Sequence, residues 1–193
     1  ILIRNIDTGK NVQEFSLDGT FIVPESWPYP EGIGISAWGA VPQVGVLNPM
    51  SPKKPFHLLS EDTTSGPMIR WGAALSPSPP GSWRAYTSNE GDGSYQVWIE
   101  HIDGEQRRQV STDFGLEPVW CRKGNELFFK HKSQILVNNV SLEPTLDIEP
   151  QSQVAFKFSN YVETKGISYR VSSDGKRLFY IRRSQSPETD RIR

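Results

Sequence analysis

The chain has 193 residues, with 21 Lys and Arg against 22 Asp and Glu, a net charge of −1 and an apolar fraction of 36%. Basic side chains are interspersed with acidic ones instead of gathered into a stripe, so nucleic acid is excluded as a partner on electrostatic grounds. No apolar run approaches the roughly 18 residues of a membrane-spanning helix, and the single cysteine, Cys121, excludes an internal disulfide while leaving the redox compartment open.

Sixteen Gly and 15 Pro scattered between short apolar runs point to strands and turns. A helical period of three and four residues is nowhere sustained over three turns. In chain order, residues 1–18 hold two strands, LIRNID and VQEFSL, joined through Asp7-Thr-Gly-Lys10 and read as the outer pair of a sheet. The opening ILIRNID reads as a strand in progress, so the chain is expected to be an excised or processed piece. Residues 20–60 offer FIVPES, GIGISAW, QVGVLN and PFHLLS. Residues 67–111 offer WGAALS, WRAYTS, YQVWIEHI and RRQVS, with Asp103-Gly104 as a hairpin signal between the last two. Residues 115–158 offer EPVWC, ELFFKH, QILVNNV and QVAFKF, the last reached through a polar connection, SLEPTLDIEP. Residues 166–193 give the inner strands ISYRVS and RLFYIRR, with RIR as the start of a third.

These units repeat. VSTDFGLEPVWCRKGNELFF at 110–129 returns in shorter form as YRVSSDGKRLFY at 169–180: a strand, a tight turn closed by Gly, then a strand opening on Leu and aromatics. The glycines Gly32, Gly81, Gly124 and Gly175 recur at intervals of 43 to 51 residues. Four short strands per about 40–45 residues make a propeller blade. The predicted fold class is all-β: a single β-propeller domain, or a propeller fragment, of four-stranded antiparallel blades. It comprises about three full blades and two half blades by this count. The two halves either join in a four-bladed ring or belong to a larger disc of six or seven blades, which we favour. In a larger disc, exposed edge strands would invite self-association.

Residues 76 to 129, from SPSPPG to ELFF, and 171 to 183, VSSDGKRLFYIRR, resemble the TolB-type (WD40-like) propeller repeats of bacteria, as found attached to receptor-like Ser/Thr kinases and signalling proteins. Family repeats read Ser-Pro-Asp-Gly at the inner turn, and Ser172-Ser-Asp-Gly175 stays close to that. Gly81 follows Pro-Pro and Gly124 follows Cys-Arg-Lys, so two turns depart in composition while keeping the glycine. The resemblance covers 66 to 183, and residues 1 to 65 join by repeat logic. It implies a fold and a bacterial source, in a periplasmic, extracytoplasmic or cytoplasmic compartment, more than any activity.

Each chemically suggestive residue has an architectural reading beside it. Asp174 and Gly175 suit a tight turn, Asp accepting backbone N–H bonds and Gly taking positive φ; a calcium ligand or an Asp-box remnant is the competing idea. Trp27, Trp38, Trp71, Trp83, Trp98 and Trp120 read as fillers between blades, against a sugar-stacking platform. The histidines His57, His101 and His131 stand without metal-ligand spacing. Ser36 in Gly34-Ile-Ser-Ala-Trp38 fails the nucleophile-elbow pattern, and Gly32 and Gly34 precede no helix that would cradle phosphate. Glu90-Gly-Asp-Gly93 reads as a solvated hairpin offering too few oxygens for calcium, and Thr112-Asp-Phe-Gly115 as a connector between blades. Asn139-Val-Ser141 matches a glycosylation acceptor only by pattern. The basic spots at 107–109 and 181–183 read as charged strand edges.

No catalytic, cofactor-binding or metal-binding residue is therefore assigned, no cofactor is expected, and the ligand-binding residues stay unidentified. The leading expectation is a non-catalytic recognition or scaffold module that binds a protein, peptide or small ligand at a propeller face. A propeller gating a prolyl oligopeptidase-type serine peptidase is the alternative. A carbohydrate-active propeller, with paired carboxylates in its channel, is a third reading.

Overall fold

The structure, a computed structural model, describes residues 2–4, 11–16, 21–26, 32–38, 42–49, 51, 53–58, 70–150, 152–158, 168–172 and 174–180. The turn at Asp7–Lys10, residues 27–31 with Trp27, the basic residues 181–183 and the closing RIR lie outside these, as does the side chain of Trp71. Strands and turns account for the described residues, in five antiparallel sheets.

The first sheet pairs β1 (Leu2–Arg4) with β2 (Asn11–Glu14). The second runs β3 (Phe21–Ser26), β4 (Ile33–Trp38), β5 (Pro42–Leu47), β6 (Phe56–Leu58) in spatial order. The third has the same meander through β7 (Arg70–Pro77), β8 (Pro80–Ser88), β9 (Gln96–His101) and β10 (Arg107–Gln109). In the fourth, β11 (Leu116–Trp120), β12 (Glu126–His131) and β13 (Gln134–Ser141) are followed by β14 (Asp147–Ile148) and β15 (Gln153–Lys157). Both of these last strands pair with β13, β14 against Val140–Ser141 and β15 against residues 134–137, so the polar connection SLEPTLDIEP carries a short strand of its own. The fifth sheet is β16 (Tyr169–Val171) with β17 (Leu178–Tyr180).

A sheet stacked between two others must bury both faces, and β8 does so. Every residue from Trp83 to Ser88 is buried. Trp83 and Ala85 point to the fourth sheet, where they meet Trp120, Leu127 and Phe129 in the largest apolar cluster. Removing a large side chain of this kind from water contributes about 1.5–3 kcal/mol. Trp120 also donates its indole N–H to the Ala74 carbonyl at 3.0 Å, which ties the two sheets polarly. Phe15 fills the seam between the first and second sheets against Ile33, Ile35 and Leu47. Phe156, Phe158 and Tyr180 stack with centroids 5.1 to 5.5 Å apart between the fourth and fifth. At the seam between the second and third sheets Val44 and Tyr86 pack together with Trp98 against them, and the third sheet's cross-strand Arg84–Glu100 pair is buried nearby at 3.4 Å.

Three hairpins share one wiring. In residues 101–106, 121–126 and 172–177 the first residue donates its N–H to the carbonyl of the sixth at 2.8, 3.0 and 2.8 Å. The Gly in fourth place donates back to the first residue's carbonyl at 2.9, 3.0 and 2.9 Å. Gly104, Gly124 and Gly175 all take φ between 72° and 82°, a left-handed conformation that a side chain resists. Gly81 behaves differently. Its φ is 66°, but Pro77 pairs with Pro80, so the turn is Ser78-Pro79 and Gly81 sits inside β8. The two turns nevertheless meet: a Cβ on Gly124 would lie 2.7 Å from the Ser78 carbonyl oxygen.

Candidate functional site

The first strand of the second, third and fourth sheets is bulged, with register shifts at Pro24/Ser26, Trp71/Ala74 and Leu116/Val119. A bulge inserts a residue the ladder cannot pair and re-aims its neighbours. In β11 the re-aimed residue is Glu117, buried and with φ 54°. Its backbone N–H donates to Thr87 Oγ1 of the third sheet at 3.1 Å. Its carboxylate accepts from the backbone N–H and the hydroxyl of Ser168, at 2.7 and 2.6 Å, just ahead of the fifth sheet. The Tyr169 hydroxyl donates to its carbonyl at 2.9 Å, and Lys130 Nζ stands 3.7 Å from Oε1. Glu117 thus fastens three sheets together. Burial, helped by the Glu117 charge, lifts the Tyr169 phenol well above its ordinary range.

Glu25 on β3 accepts a hydrogen bond from the fully buried Ser36 at 2.9 Å. Burial raises its carboxyl above the ordinary glutamate value, opposed by the Ser36 bond and the Arg170 charge and helped by Glu117. Two carboxylates that sense one another suit a glycosidase only where both face substrate. Here the Glu117 carboxylate is engaged by Ser168 and Lys130. This cluster reads as scaffold.

Among the described residues, one outward-facing feature lies at the end of the connector between β10 and β11. A groove of about 350 Å³ is lined by Val110, Thr112, Asp113 and Phe114 from the connector, Phe129, His131 and Leu136 from the fourth sheet, and Ser152. The connector is pinned along its length. Val110 N–H donates to the Val97 carbonyl at 2.8 Å, and Gly115 N–H to that of Tyr95 at 2.9 Å. Ser111 Oγ accepts from Val97 N–H at 2.8 Å and donates to Gln96 Oε1 at 2.6 Å, while Gln96 Nε2 donates to the Asp113 carbonyl at 3.0 Å. Gly115 packs so closely that a Cβ there would stand 2.6 Å from Ser111 Oγ. His131 Nδ1 lies 2.8 Å from the Phe114 carbonyl and its ring meets the Phe114 ring edge-on.

The residues singled out in the sequence fall in different places. Thr112-Asp-Phe-Gly115 is the connector it was read as, and it also forms one wall of the groove. His131 joins it there, across a separation no local spacing announces. His57 is exposed on β6, and His101 stacks edge-on against Trp83 at 4.9 Å and pairs with Asp103 at 2.6 Å. Trp83 and Trp120 are buried, Trp98 lies under the Arg107 guanidinium at 4.2 Å, and Trp38 is 38% exposed. Asp174 accepts from the Ser172 hydroxyl and from Lys176 N–H, which hold its carboxyl below the usual range. In the Glu90–Gly93 loop, Asp92 caps Ser94 N–H at 2.9 Å and Glu90 pairs with Arg107. Asn139 donates to Glu149 Oε2 at 3.0 Å. Among the described residues no cluster of His, Cys, Asp and Glu could hold a metal ion.

Two solved structures share this architecture. TolB from Acinetobacter baumannii aligns with a TM-score of 0.57 at 13% identity, over 87% of this chain and 39% of that one. The putative TolB from Agrobacterium tumefaciens aligns with a TM-score of 0.53 at 16% identity, over 84% of this chain and 58% of that one. The fold is therefore that of a TolB-like β-propeller. This chain spans less than two thirds of either protein's length. No family model and no curated protein matches it.

Proposed function

We propose that this chain is a non-catalytic recognition module that binds a protein, peptide or small ligand at the groove between its third and fourth sheets. The observation that supports the reading is the pinning of the 110–115 connector. Loops held by a rigid scaffold lose little ordering entropy on contact, so a modest groove yields useful affinity. Its surface is more polar than apolar, with Thr112, Asp113, His131 and Ser152 beside Phe114 and Leu136. Residues 1–193 form, on this reading, one propeller domain or a fragment of one. The exposed edge strand β15, whose Val154 is 52% exposed, offers a route to self-association. A sensor role inside a larger bacterial signalling protein rests on the resemblance alone.

Backbone amide spectra of the isotopically labelled chain, recorded with a panel of short peptides and small ligands, test the proposal. Saturable shifts are expected at residues 110–115 and His131, weakened by Gly115→Ala. Ligands that shift only residues remote from the groove, or none that bind at all, overturn it.

A further inference from the structure

We infer that this groove takes a cationic group on an apolar stem: a primary ammonium or a guanidinium, carried by a small amine or by a Lys or Arg side chain of a peptide. The inference rests on the recognition reading above and gives its site a chemistry. It begins with the His131 tautomer. A carbonyl oxygen can only accept, so the 2.8 Å contact with Phe114 places the ring proton on Nδ1. In the uncharged ring the lone pair is then left on Nε2, which stands 3.9 Å from Asp113 Oδ2. Two acceptors at that spacing are bridged by one donor about 2.8 Å from each, and a donor that also carries positive charge balances the carboxylate. Beside them the partly exposed Phe114 and Leu136 offer hydrocarbon to methylene groups, Phe129 being buried behind at 1% exposure.

Lys132 supplies a second, independent observation. It sits in the two-residue turn between His131 and Gln134 with φ 55°, where Gly or Asn is the favoured residue. From there its Nζ reaches Asp113 Oδ2 at 3.2 Å. The Asp113 carboxylate therefore already holds an ammonium, supplied by the chain itself. Both side chains are about two-thirds exposed, at 67% and 70%, and ion pairs of this kind are weak. An incoming cation that also buries its stem displaces Lys132 at little cost.

The full chain is titrated with n-butylamine, agmatine and Nα-acetyl-lysine amide, with n-butanol and Nα-acetyl-norleucine amide as neutral matches, and read by amide shifts and calorimetry. The amines are expected to saturate shifts at 110–114 and His131, and the neutral matches to do so at least tenfold more weakly. Asp113→Asn should weaken amine binding about tenfold, the size expected when a charged hydrogen-bond partner is lost. Lys132→Gly should strengthen it, because the internal competitor is gone. A Lys-containing tetrapeptide that binds more tightly than the free amine identifies a peptide as the source of the cation, and equal affinity identifies a small amine. Neutral matches that bind as well as the amines overturn the cation assignment while leaving the recognition reading intact. Amine binding unchanged in Asp113→Asn overturns it as well.

Discussion

Ser168 gives both its backbone N–H and its hydroxyl to a single oxygen of Glu117, at 2.7 and 2.6 Å, across 51 residues of sequence. The fourth and fifth sheets are joined at this point by a buried carboxylate whose other oxygen faces Lys130.

Breaking one side of a buried charged contact costs about 3–5 kcal/mol, because the group left behind loses water and partner together. Glu117→Ala is expected to fall in that range, and Ser168→Ala to cost about 1–3 kcal/mol. Glu117→Gly relieves the positive φ yet should still destabilise by more than Ser168→Ala. Urea unfolding midpoints check all three. The double variant Glu117→Ala/Ser168→Ala should lose less than the two single losses added, since both remove the same contact.

Gly124 and Gly91 share positive φ, at 78° and 90°, and differ in their surroundings. A Cβ on Gly124 meets the Ser78 carbonyl oxygen at 2.7 Å, whereas one on Gly91 meets nothing within 4 Å. Gly91→Ala should cost about 1–2 kcal/mol from the left-handed backbone alone. Gly124→Ala must in addition move a neighbouring turn, so its loss should be clearly the larger. Equal losses in denaturant would show that the two turns do not bear on one another.

Lys132 is a non-glycine residue at φ 55° in an exposed hairpin. Lys132→Gly should stabilise the chain by about 0.5–1 kcal/mol, the left-handed cost removed less the added freedom of Gly in the unfolded state. For a chain of this size that is an upward shift in Tm of about 1–4 °C by scanning calorimetry. A fall in Tm would mean that the Asp113 contact outweighs the backbone cost.

Glu25 gives a pH signature. Its carboxyl is raised in the fold, chiefly by burial, so folding favours the protonated form. That contribution is complete below the ordinary value of 4.5 and is lost as pH rises through the higher folded value. Glu25→Gln keeps an acceptor for Ser36 and removes the charge. It is expected to stabilise at pH 7 and to make little difference at pH 4. Asp103 and Asp174 have the opposite sign: hydrogen bonds from Glu105 N–H and the Ser172 hydroxyl, respectively, lead in lowering their carboxyls. Their contribution is present above the ordinary value of 3.8 and is lost as pH falls through the lower folded values. An unchanged pH profile in Glu25→Gln would remove burial as the dominant influence on that residue.

The fold class was legible because it is written locally. Short apolar runs such as those in QVWIEH and ELFFKH, and a glycine at each of 104, 124 and 175, are enough to mark antiparallel hairpins, and repetition turns hairpins into stacked sheets. Gly81 misled because proline spacing moved the turn forward while the glycine kept its place in the count. Asp147–Ile148 was missed because two residues carry no period. The groove was not legible at all. His131 meets Phe114, and Asp113 meets Lys132, through the stacking of one sheet on the next. Nothing in the order of residues along either segment signals that approach. Glu117 in LEPVW looked like an ordinary strand residue, and only the bulge aimed it inward.

The Arg84–Glu100 pair has a consequence for how such a molecule is divided. Both belong to the third sheet, as cross-strand neighbours on β8 and β9, and two ions had to be stripped of water before the second sheet could cover them, which returns little net gain. Prising that face open would rehydrate both ions and leave the greasy fillings on either side intact. Amide exchange at β8 and β9 should therefore register this face opening short of global unfolding.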